Sequence, residues 1–341
     1  MHAPAASRRC LLLLLAVRAA AAPAAPAVAA LTGSLAYLTC DAGARGACVA
    51  ASLHLAARDL ASGAASVLAR FPNASLDTLA LSATALSEAA DALFISLVAA
   101  DGAAGELVRF SLSERKVVAR VAAPPCGVLA VVDDDARSPA SLLCLTDAPY
   151  YGVDGKSYLL RLDAASGAAE RLFTWEGSPV PEDAVAALDP RAGGVLFAVL
   201  LEEAQDAEFI VGWNATTGEK LSQVAVPETL GLLNAVWEPR SARVLGVLDD
   251  YSAQARYFAA LNLSAGSWAP ISTALQKYEA VYGIAAAAPA LGAVFVEAAG
   301  SRAGAVDVVG VSVAEGAVLY DKPSGGLCTS LVYLPTAASS R

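Results

Sequence analysis

The sequence predicts an all-β protein folded as a six-bladed β-propeller. Three observations support this fold class: a turn motif that recurs about every 50 residues, runs of strand-forming residues around each turn, and a lone strand-like run near the C-terminus. Repeats of about 40 to 50 residues are typical of propeller blades, each of which is one small antiparallel sheet.

The turn motif places Asp, Asn or Ser four residues before a glycine. The complete copies are residues 59–63 (DLASG), 163–167 (DAASG), 214–218 (NATTG), 262–266 (NLSAG) and 312–316 (SVAEG). A degenerate copy, residues 111–115 (SLSER), has Arg115 in place of the glycine. Asp, Asn and Ser cap their own backbone in turns, and glycine supplies a positive φ. Each copy therefore predicts the hairpin between the third and fourth strands of a blade.

Two further apolar runs precede each hairpin and complete four strands per blade; in the second blade they are residues 76–81 and 93–98. The first repeat has three strands, beginning at residues 35–39, and the chain finishes with a run at residues 327–334. If that last run supplies the inner strand of the first blade, a three-plus-one closure completes the ring. An open solenoid with end caps is the alternative.

The hairpin motif resembles the D-x-x-T-G turns of quinoprotein-like and YVTN-type propeller repeats. The resemblance covers all six repeats and implies architecture only. No copy of the repeat carries the Trp-Asp ending of WD repeats or the paired glycines of kelch repeats.

The N-terminal 30 residues have the layout of a secretory signal peptide. Arg8 and Arg9 precede an apolar run at residues 10–17, which is too short to span a membrane, and alanine-rich sequence follows. We expect a signal peptide at residues 1–30, the propeller at residues 31–335 and a short disordered tail at residues 336–341. The expected location is extracellular or the lumen of the secretory pathway, with no membrane span.

Glycosylation sequons and charge agree with that location. Asn73, Asn214 and Asn262 each begin an N-x-Ser/Thr triplet, which predicts a glycoprotein. The chain has 23 basic and 33 acidic residues, a net charge of −10. This balance argues against nucleic acid as a partner.

Five cysteines follow the predicted signal peptide, in a compartment where disulfides persist. Ring closure would place Cys328 at the start of the first blade's inner strand, beside the strand that Cys40 ends. Cys126 and Cys144 occupy nearly equivalent places in the third blade. We therefore predict disulfides between Cys40 and Cys328 and between Cys126 and Cys144. A local bond between Cys40 and Cys48 is the alternative to the first.

Carboxylates are the patterned polar feature of the sequence. They end the second strand of most blades and recur in the loops that enter the next blade, and these two sets of loops lie on one face of a propeller. The candidate ligand or metal residues of this acidic rim are Asp77, Asp147, Asp183, Asn234, Asp249 and Glu279. Calcium prefers such oxygen ligands. The structural explanation is that Asp and Glu flank solvated turns.

Two functions are consistent with these features. The first is a secreted or luminal glycoprotein that binds a protein or small-molecule partner through the acidic rim, with or without calcium. The alternative is a divalent-metal-dependent hydrolase of the lactonase or esterase kind, using Asn234, Asp183 and Glu279 in the central channel. Resemblance to the six-bladed gluconolactonase-like enzymes would imply such a site, but the Asn-Gly and Asp-Gly blade signatures of that family are missing from the predicted inner strands. His54, the one histidine after the predicted signal peptide, argues against a Ser-His-Asp triad.

Overall fold

The structure is a computed structural model that describes residues 31–41, 52–74, 84–99, 105–133, 141–146, 156–175, 180–189, 194–202, 207–262, 267–299, 306–324 and 330–335. The predicted signal peptide and C-terminal tail lie outside these ranges. Within them, no helix has the length and hydropathy that crossing a membrane requires.

The described residues form 24 strands and two short 3₁₀ turns, Ala274–Lys277 and Pro289–Leu291. In chain order the strands are β1 Ser34–Thr39, β2 His54–Asp59, β3 Ala65–Arg70, β4 Thr84–Ser87, β5 Ala92–Val98, β6 Gly105–Ser111, β7 Lys116–Ala122, β8 Val128–Asp133, β9 Ser141–Leu145, β10 Ser157–Asp163, β11 Ala169–Trp175, β12 Val180–Asp189, β13 Val195–Glu202, β14 Ala207–Asn214, β15 Lys220–Ala225, β16 Leu230–Glu238, β17 Arg243–Asp250, β18 Ala255–Asn262, β19 Ser267–Ser272, β20 Ala280–Ala288, β21 Ala293–Ala299, β22 Val306–Ser312, β23 Val318–Pro323 and β24 Ser330–Leu334.

These strands form six four-stranded antiparallel sheets, which are the six predicted blades. Blade 1 has the order β24-β1-β2-β3, and blades 2 to 6 are the consecutive quartets β4–β7, β8–β11, β12–β15, β16–β19 and β20–β23. The inner strand of blade 2 that the structure describes is Thr84–Ser87, which pairs with β5. The run predicted at residues 76–81 lies outside the described residues.

The inner strands show that the sheets form a closed ring. Each first strand approaches the first strand of the next blade, in the circle β24, β4, β8, β12, β16, β20 and back to β24. Strands β12 and β20, which belong to blades 4 and 6, also approach each other across blade 5. The propeller is confirmed, and the open solenoid is wrong.

Closure takes the predicted three-plus-one form. Strand β24 pairs antiparallel with β1, with Tyr37 opposite Leu331 and Leu35 opposite Tyr333. The Tyr333 hydroxyl donates to the Thr32 carbonyl at 3.1 Å. The two strands also bury apolar side chains against blade 6, including Phe295.

Side chains fill the spaces between neighbouring blades, because successive residues of a strand point to opposite faces of its sheet. In β1, Leu35 and Tyr37 pack toward blade 6, whereas Ala36 and Leu38 pack toward blade 2. The hydrophobic core is therefore divided into clusters at the junctions between blades.

The turn motif works as its chemistry predicts. Asp163 Oδ1 accepts hydrogen bonds from the Ser166 backbone N–H at 2.7 Å and the Ser166 hydroxyl at 2.8 Å, and Gly167 has φ +73°. Asp59 and Ser62 make the same contacts in blade 1. These hairpins and those between first and second strands define what we call the lower face. The upper face carries the connections from second to third strands and from each blade into the next.

Candidate functional site

A cleft of about 360 Å³ opens on the upper face between blades 5 and 6. One wall is the hairpin between β17 and β18, which contributes Asp249, Asp250 and Tyr251. The other is the segment that enters β20, which contributes Tyr278 and Glu279. The structure therefore brings together two of the predicted candidates, Asp249 and Glu279.

Asp249 makes a bidentate ion pair with Arg256, its cross-strand neighbour on β18. The Arg256 Nε and Nη2 atoms donate to the two carboxylate oxygens at 2.6 and 2.8 Å. The Arg256 Nη1 atom donates to the Tyr278 carbonyl at 2.7 Å. The side chains of Arg256 and Asp249 are only 12% and 22% exposed. A charge pair of this kind stabilises through its geometry and costs several kcal/mol to break on one side. It holds the cleft walls together and neutralises Asp249.

A second network lies behind the cleft. The Tyr278 hydroxyl donates to Asp321 Oδ2 at 2.8 Å, and Lys277 Nζ donates to the same oxygen at 3.0 Å. Burial, with Asp321 as the next cause, raises the pKa of Tyr278 to about 12. Hydrogen bonds with Tyr278 and Asp321 raise the pKa of Lys277. Both groups therefore keep their protons at neutral pH, so neither acts as a base, and the network positions the tyrosine.

Asp250 and Glu279 provide the uncompensated charge of the cleft. Asp250 Oδ1 accepts from the Ser252 hydroxyl at 2.7 Å and the Ala253 N–H at 2.9 Å. These hydrogen bonds, the hydroxyl first, hold the pKa of Asp250 below its usual value, so the carboxylate stays ionised. Glu279 is exposed, and no ion pair within the described ranges involves either residue. The cleft can therefore attract a cation.

Asn234 has a backbone role on the inner strand of blade 5. Its side chain is buried, and its Oδ1 atom accepts from the Val247 N–H at 3.1 Å. The pairing of β16 with β17 shifts register between Leu232 and Asn234, so the carboxamide satisfies an N–H at a β-bulge. This contact favours a structural role for Asn234.

The remaining candidates are only partly located. Asp77 and Asp147 lie outside the described residues. Asp183 belongs to β12, and its side chain is not described. The convergence of Asn234, Asp183 and Glu279 that the hydrolase requires therefore stays a prediction. Within the described ranges, no three His, Cys, Asp or Glu side chains cluster in a way that could hold a metal ion.

His54 lies on β2, away from the cleft. It is buried, and its Nδ1 atom lies 2.8 Å from the Ser52 carbonyl oxygen and 3.7 Å from Asp41 Oδ1. The Ser52 hydroxyl instead accepts from the Asp41 N–H at 3.0 Å. These contacts tie the end of β1 to the start of β2 and give His54 a structural role.

The cysteines follow the prediction where they are described. Cys126 and Cys144 form a disulfide with a Cα–Cα distance of 5.2 Å, which joins the segment before β8 to β9 within blade 3. Cys40 is also disulfide-bonded. Its partner is outside the described residues, as are Cys48 and Cys328, so both predicted pairings of Cys40 stay open.

Sequence reasoning missed Arg256 and Tyr278. Arg256 follows the Asp249–Asp250 pair across a hairpin, where a cross-strand partner of opposite charge is an available signal. Tyr278 lies 22 residues beyond Arg256, and its role depends on how blade 5 passes into blade 6. No local sequence pattern reports that contact.

Comparison with known proteins gives the fold and no family. No protein-family model matches the chain, and no curated protein matches it in sequence. The chain is similar in structure to TolB from Acinetobacter baumannii, with 12% identity and a TM-score of 0.59 over 89% of this chain and 67% of that one. It is also similar to a chain of a nidogen/laminin complex, with 9% identity and a TM-score of 0.58 over 89% of this chain and 98% of that one. At such identities the likeness shows the propeller fold alone.

Proposed function

We propose that this chain is a secreted or luminal glycoprotein whose upper face binds a positively charged segment of a partner protein. The observation that carries the proposal is the cleft between blades 5 and 6. There Arg256 is fully engaged by Asp249 and the Tyr278 carbonyl, while Asp250 and Glu279 remain available to a ligand.

The charge balance of the upper face supports the proposal. Several basic side chains of this face are engaged in ion pairs, namely Arg70 with Asp41, Arg120 with Glu106, Arg256 with Asp249 and Lys277 with Asp321. Glu228, Asp250, Glu279 and Asp307 have no ion pair among the residues described. A face with this residual charge attracts cationic partners and increases their association rate.

Tyr251 adds a contact surface beside the carboxylates. Its side chain is 63% exposed, the largest exposure among the large hydrophobic residues described. Its hydroxyl lies over Gly231, where a Cβ would collide with it. Lys and Arg side chains bind to tyrosine rings through cation–π interactions, and tyrosine is enriched at interface hot spots. The cleft therefore offers both charge and an aromatic surface to a basic segment.

The predicted glycans are compatible with an open upper face. Asn262 is exposed and Asn214 is half-buried, and both begin lower-face turns, where Asn214 Oδ1 accepts from the Thr216 and Thr217 N–H groups. Asn73 is exposed at the upper end of β3. Two of the three predicted glycans would thus leave the cleft accessible.

Binding of a fluorescein-labelled octalysine peptide, followed by anisotropy, tests the proposal. Replacing both carboxylates (Asp250→Asn with Glu279→Gln) should weaken binding roughly tenfold at low salt, since each exposed pair contributes up to about 1 kcal/mol. The matched control is Glu315→Gln, which removes a carboxylate from the lower face and should leave binding unchanged. Equal binding by the double variant and the parent protein would remove the cleft from the proposal.

Secretion and glycosylation need a separate test. We expect the full chain, expressed in animal cells, to enter the secretory pathway and to lose apparent mass on treatment with peptide-N-glycosidase. The triple variant Asn73→Gln, Asn214→Gln, Asn262→Gln should show no such change. A cytosolic chain with no glycan would contradict this part of the proposal.

Calcium is the cofactor that the acidic rim predicts. Because a ligand that binds only the folded state raises its stability, the melting temperature in millimolar calcium is the direct test. A higher melting temperature in calcium than in EDTA supports a bound ion. A melting temperature that does not respond to saturating calcium removes calcium from the proposal.

A further inference from the structure

The lower-face turns of three blades pack tightly on the preceding blade through their glycine. A Cβ added at Gly167 would lie less than 3.0 Å from the backbone of Ala122, and one added at Gly316 less than 3.0 Å from Ser272. At Gly218 the same atom would meet the backbone of Leu172. Real Cβ atoms essentially never come that close, so glycine is what permits these turns to close on their neighbours.

The turn of blade 2 has Arg115 at this position. Arg115 adopts φ +52°, so the turn keeps the left-handed conformation of the glycine copies but carries a Cβ. It faces β3 of blade 1, where Leu68 lies five residues after the turn glycine Gly63, as Leu172 lies five residues after Gly167. A Cβ cannot make the approach that Gly218 makes to Leu172, so the turn of blade 2 cannot pack on Leu68 in that way.

A cavity of about 610 Å³ opens at this junction. Its apolar walls come from both blades and include Ala57, Leu68, Phe110, Leu112 and Leu334. Leu68, Leu112 and Leu334 are half-buried, so the cavity is reached from solvent. The volume falls within the range of about 300 to 1,000 Å³ that is typical of small-molecule sites.

Three carboxylates and one guanidinium line the same cavity: Asp59, Glu88, Asp91 and Arg115. Hydrogen bonds from the backbone and hydroxyl of Ser62 lower the pKa of Asp59. Partial burial raises the pKa of Asp91, but hydrogen bonds from the Ser113 and Ser111 groups outweigh it and leave that pKa below its usual value. Both carboxylates therefore stay ionised, and the lining carries net negative charge.

We infer that this lower-face cavity binds a small molecule that joins an apolar body to a primary ammonium group. The apolar walls between β3 and the turn of blade 2 would hold the body. The carboxylates of the lining would hold the ammonium, with Glu88, whose side chain is exposed, the most accessible of them. This site is on the face opposite the acidic cleft, and it does not depend on the function proposed for the cleft.

Dansylcadaverine, a fluorescent aromatic with an ammonium chain, is a suitable probe, and dansylamide is its counterpart without the ammonium. We expect saturable fluorescence enhancement with dansylcadaverine and about tenfold weaker binding of dansylamide, a loss equivalent to about 1.4 kcal/mol. Glu88→Gln should weaken dansylcadaverine binding about threefold, as expected for one exposed ion pair. Glu114→Gln is the matched control, because Glu114 lies in the neighbouring turn between β6 and β7 but pairs with Lys116 and does not line the cavity.

Two further variants test the location. Leu68→Trp fills the cavity and should abolish binding; if that variant does not fold, the smaller filling change Leu68→Phe should weaken binding and serves the same purpose. Glu279→Gln on the upper face should leave binding unchanged. The inference is overturned by the absence of saturable binding, by equal affinity for the two probes, by full binding to the filled cavity, or by loss of binding in the Glu279 variant.

Discussion

The junction between blades 2 and 3 and the junction between blades 1 and 2 use the same hairpin on the same face, yet they differ in the residue at the glycine position. In the first, Gly167 lies against the backbone of Ala122 with no room for a Cβ. In the second, Arg115 has the same left-handed backbone, and a cavity lies between its turn and Leu68. We expect a single change at this turn position to be enough to open or close the junction, while the sheets stay intact.

The two junctions also cap their turns differently. In blade 3, Asp163 caps its own turn. Blade 2 has Ser111 at that position. Its hydroxyl accepts from the Glu114 N–H at 3.1 Å, and Asp91 Oδ1 of the neighbouring hairpin accepts from the Ser113 N–H at 3.0 Å. The degenerate turn is therefore capped in part by a residue 22 positions away from Ser113, whereas in blade 3 Asp163 caps its turn from within.

The largest effect should come from adding a methyl group at the closed junction. Gly167→Ala should lower the free energy of unfolding by about 3 kcal/mol, because it combines left-handed strain of about 1 to 2 kcal/mol with overpacking against Ala122. Gly63→Ala is the matched control: it has the same φ of +73°, but nothing lies within 4 Å of the added Cβ. It should cost only the strain, about 1 kcal/mol.

Urea denaturation of the two variants measures this difference. An equal decrease in the free energy of unfolding in Gly167→Ala and Gly63→Ala would mean that the closed junction accommodates the added methyl group at no cost. Such a result would contradict the distinction between the two junctions.

A smaller effect of opposite sign is expected at the open junction. Arg115→Gly should raise the free energy of unfolding by about 1 kcal/mol, since glycine adopts φ +52° without the cost that other residues carry. Thermal unfolding of this variant beside Arg120→Gly measures it. Arg120 lies within strand β7, where glycine should instead destabilise. Destabilisation by Arg115→Gly would show that the arginine side chain makes contacts that matter more than backbone strain.

The smallest effect concerns pH. Because the folded-state pKa of Asp91 lies below the ordinary 3.8, its contribution to stability is full above about pH 4 and is lost as the pH falls through the folded value. The free energy of unfolding should therefore decline less steeply below pH 4 in Asp91→Asn than in the parent protein. Asp163→Asn should behave in the same way, since hydroxyl and backbone hydrogen bonds from Ser166 lower that pKa too. If the free energy of unfolding depends on pH in the same way in Asp91→Asn and in the parent protein, the hydrogen bonds that Asp91 accepts do not contribute to stability.

Turn chemistry made the fold predictable. The Asp-to-glycine spacing located the third and fourth strands, and the lone final strand gave the closure with β1. The bounds of the inner strand of blade 2 could not be predicted, because residues 76–87 are mostly Ala, Leu, Ser and Thr, in no pattern that marks a strand boundary. Thr84–Ser87 is defined by its pairing with β5.

The candidate sites were less accessible to sequence. The position of Asp249 and Glu279 on one face followed from the order of strands in a blade. Their division into a neutralised carboxylate and an available one depends on Arg256, which a carboxylate pattern does not include. The sequence does show that Arg115 replaces the turn glycine beside the lower-face cavity. The effect of that replacement could be judged only from the structure, which shows how closely Gly167, Gly218 and Gly316 approach the preceding blade.

The structure of the Arg115→Gly variant tests most directly whether this one side chain keeps the turn of blade 2 from packing on Leu68 of blade 1. We expect the turn of blade 2 to move onto Leu68, to reach the spacing that Gly218 keeps from Leu172, and to remove most of the cavity of about 610 Å³. A turn that stays in place beside an unchanged cavity would contradict that role for Arg115.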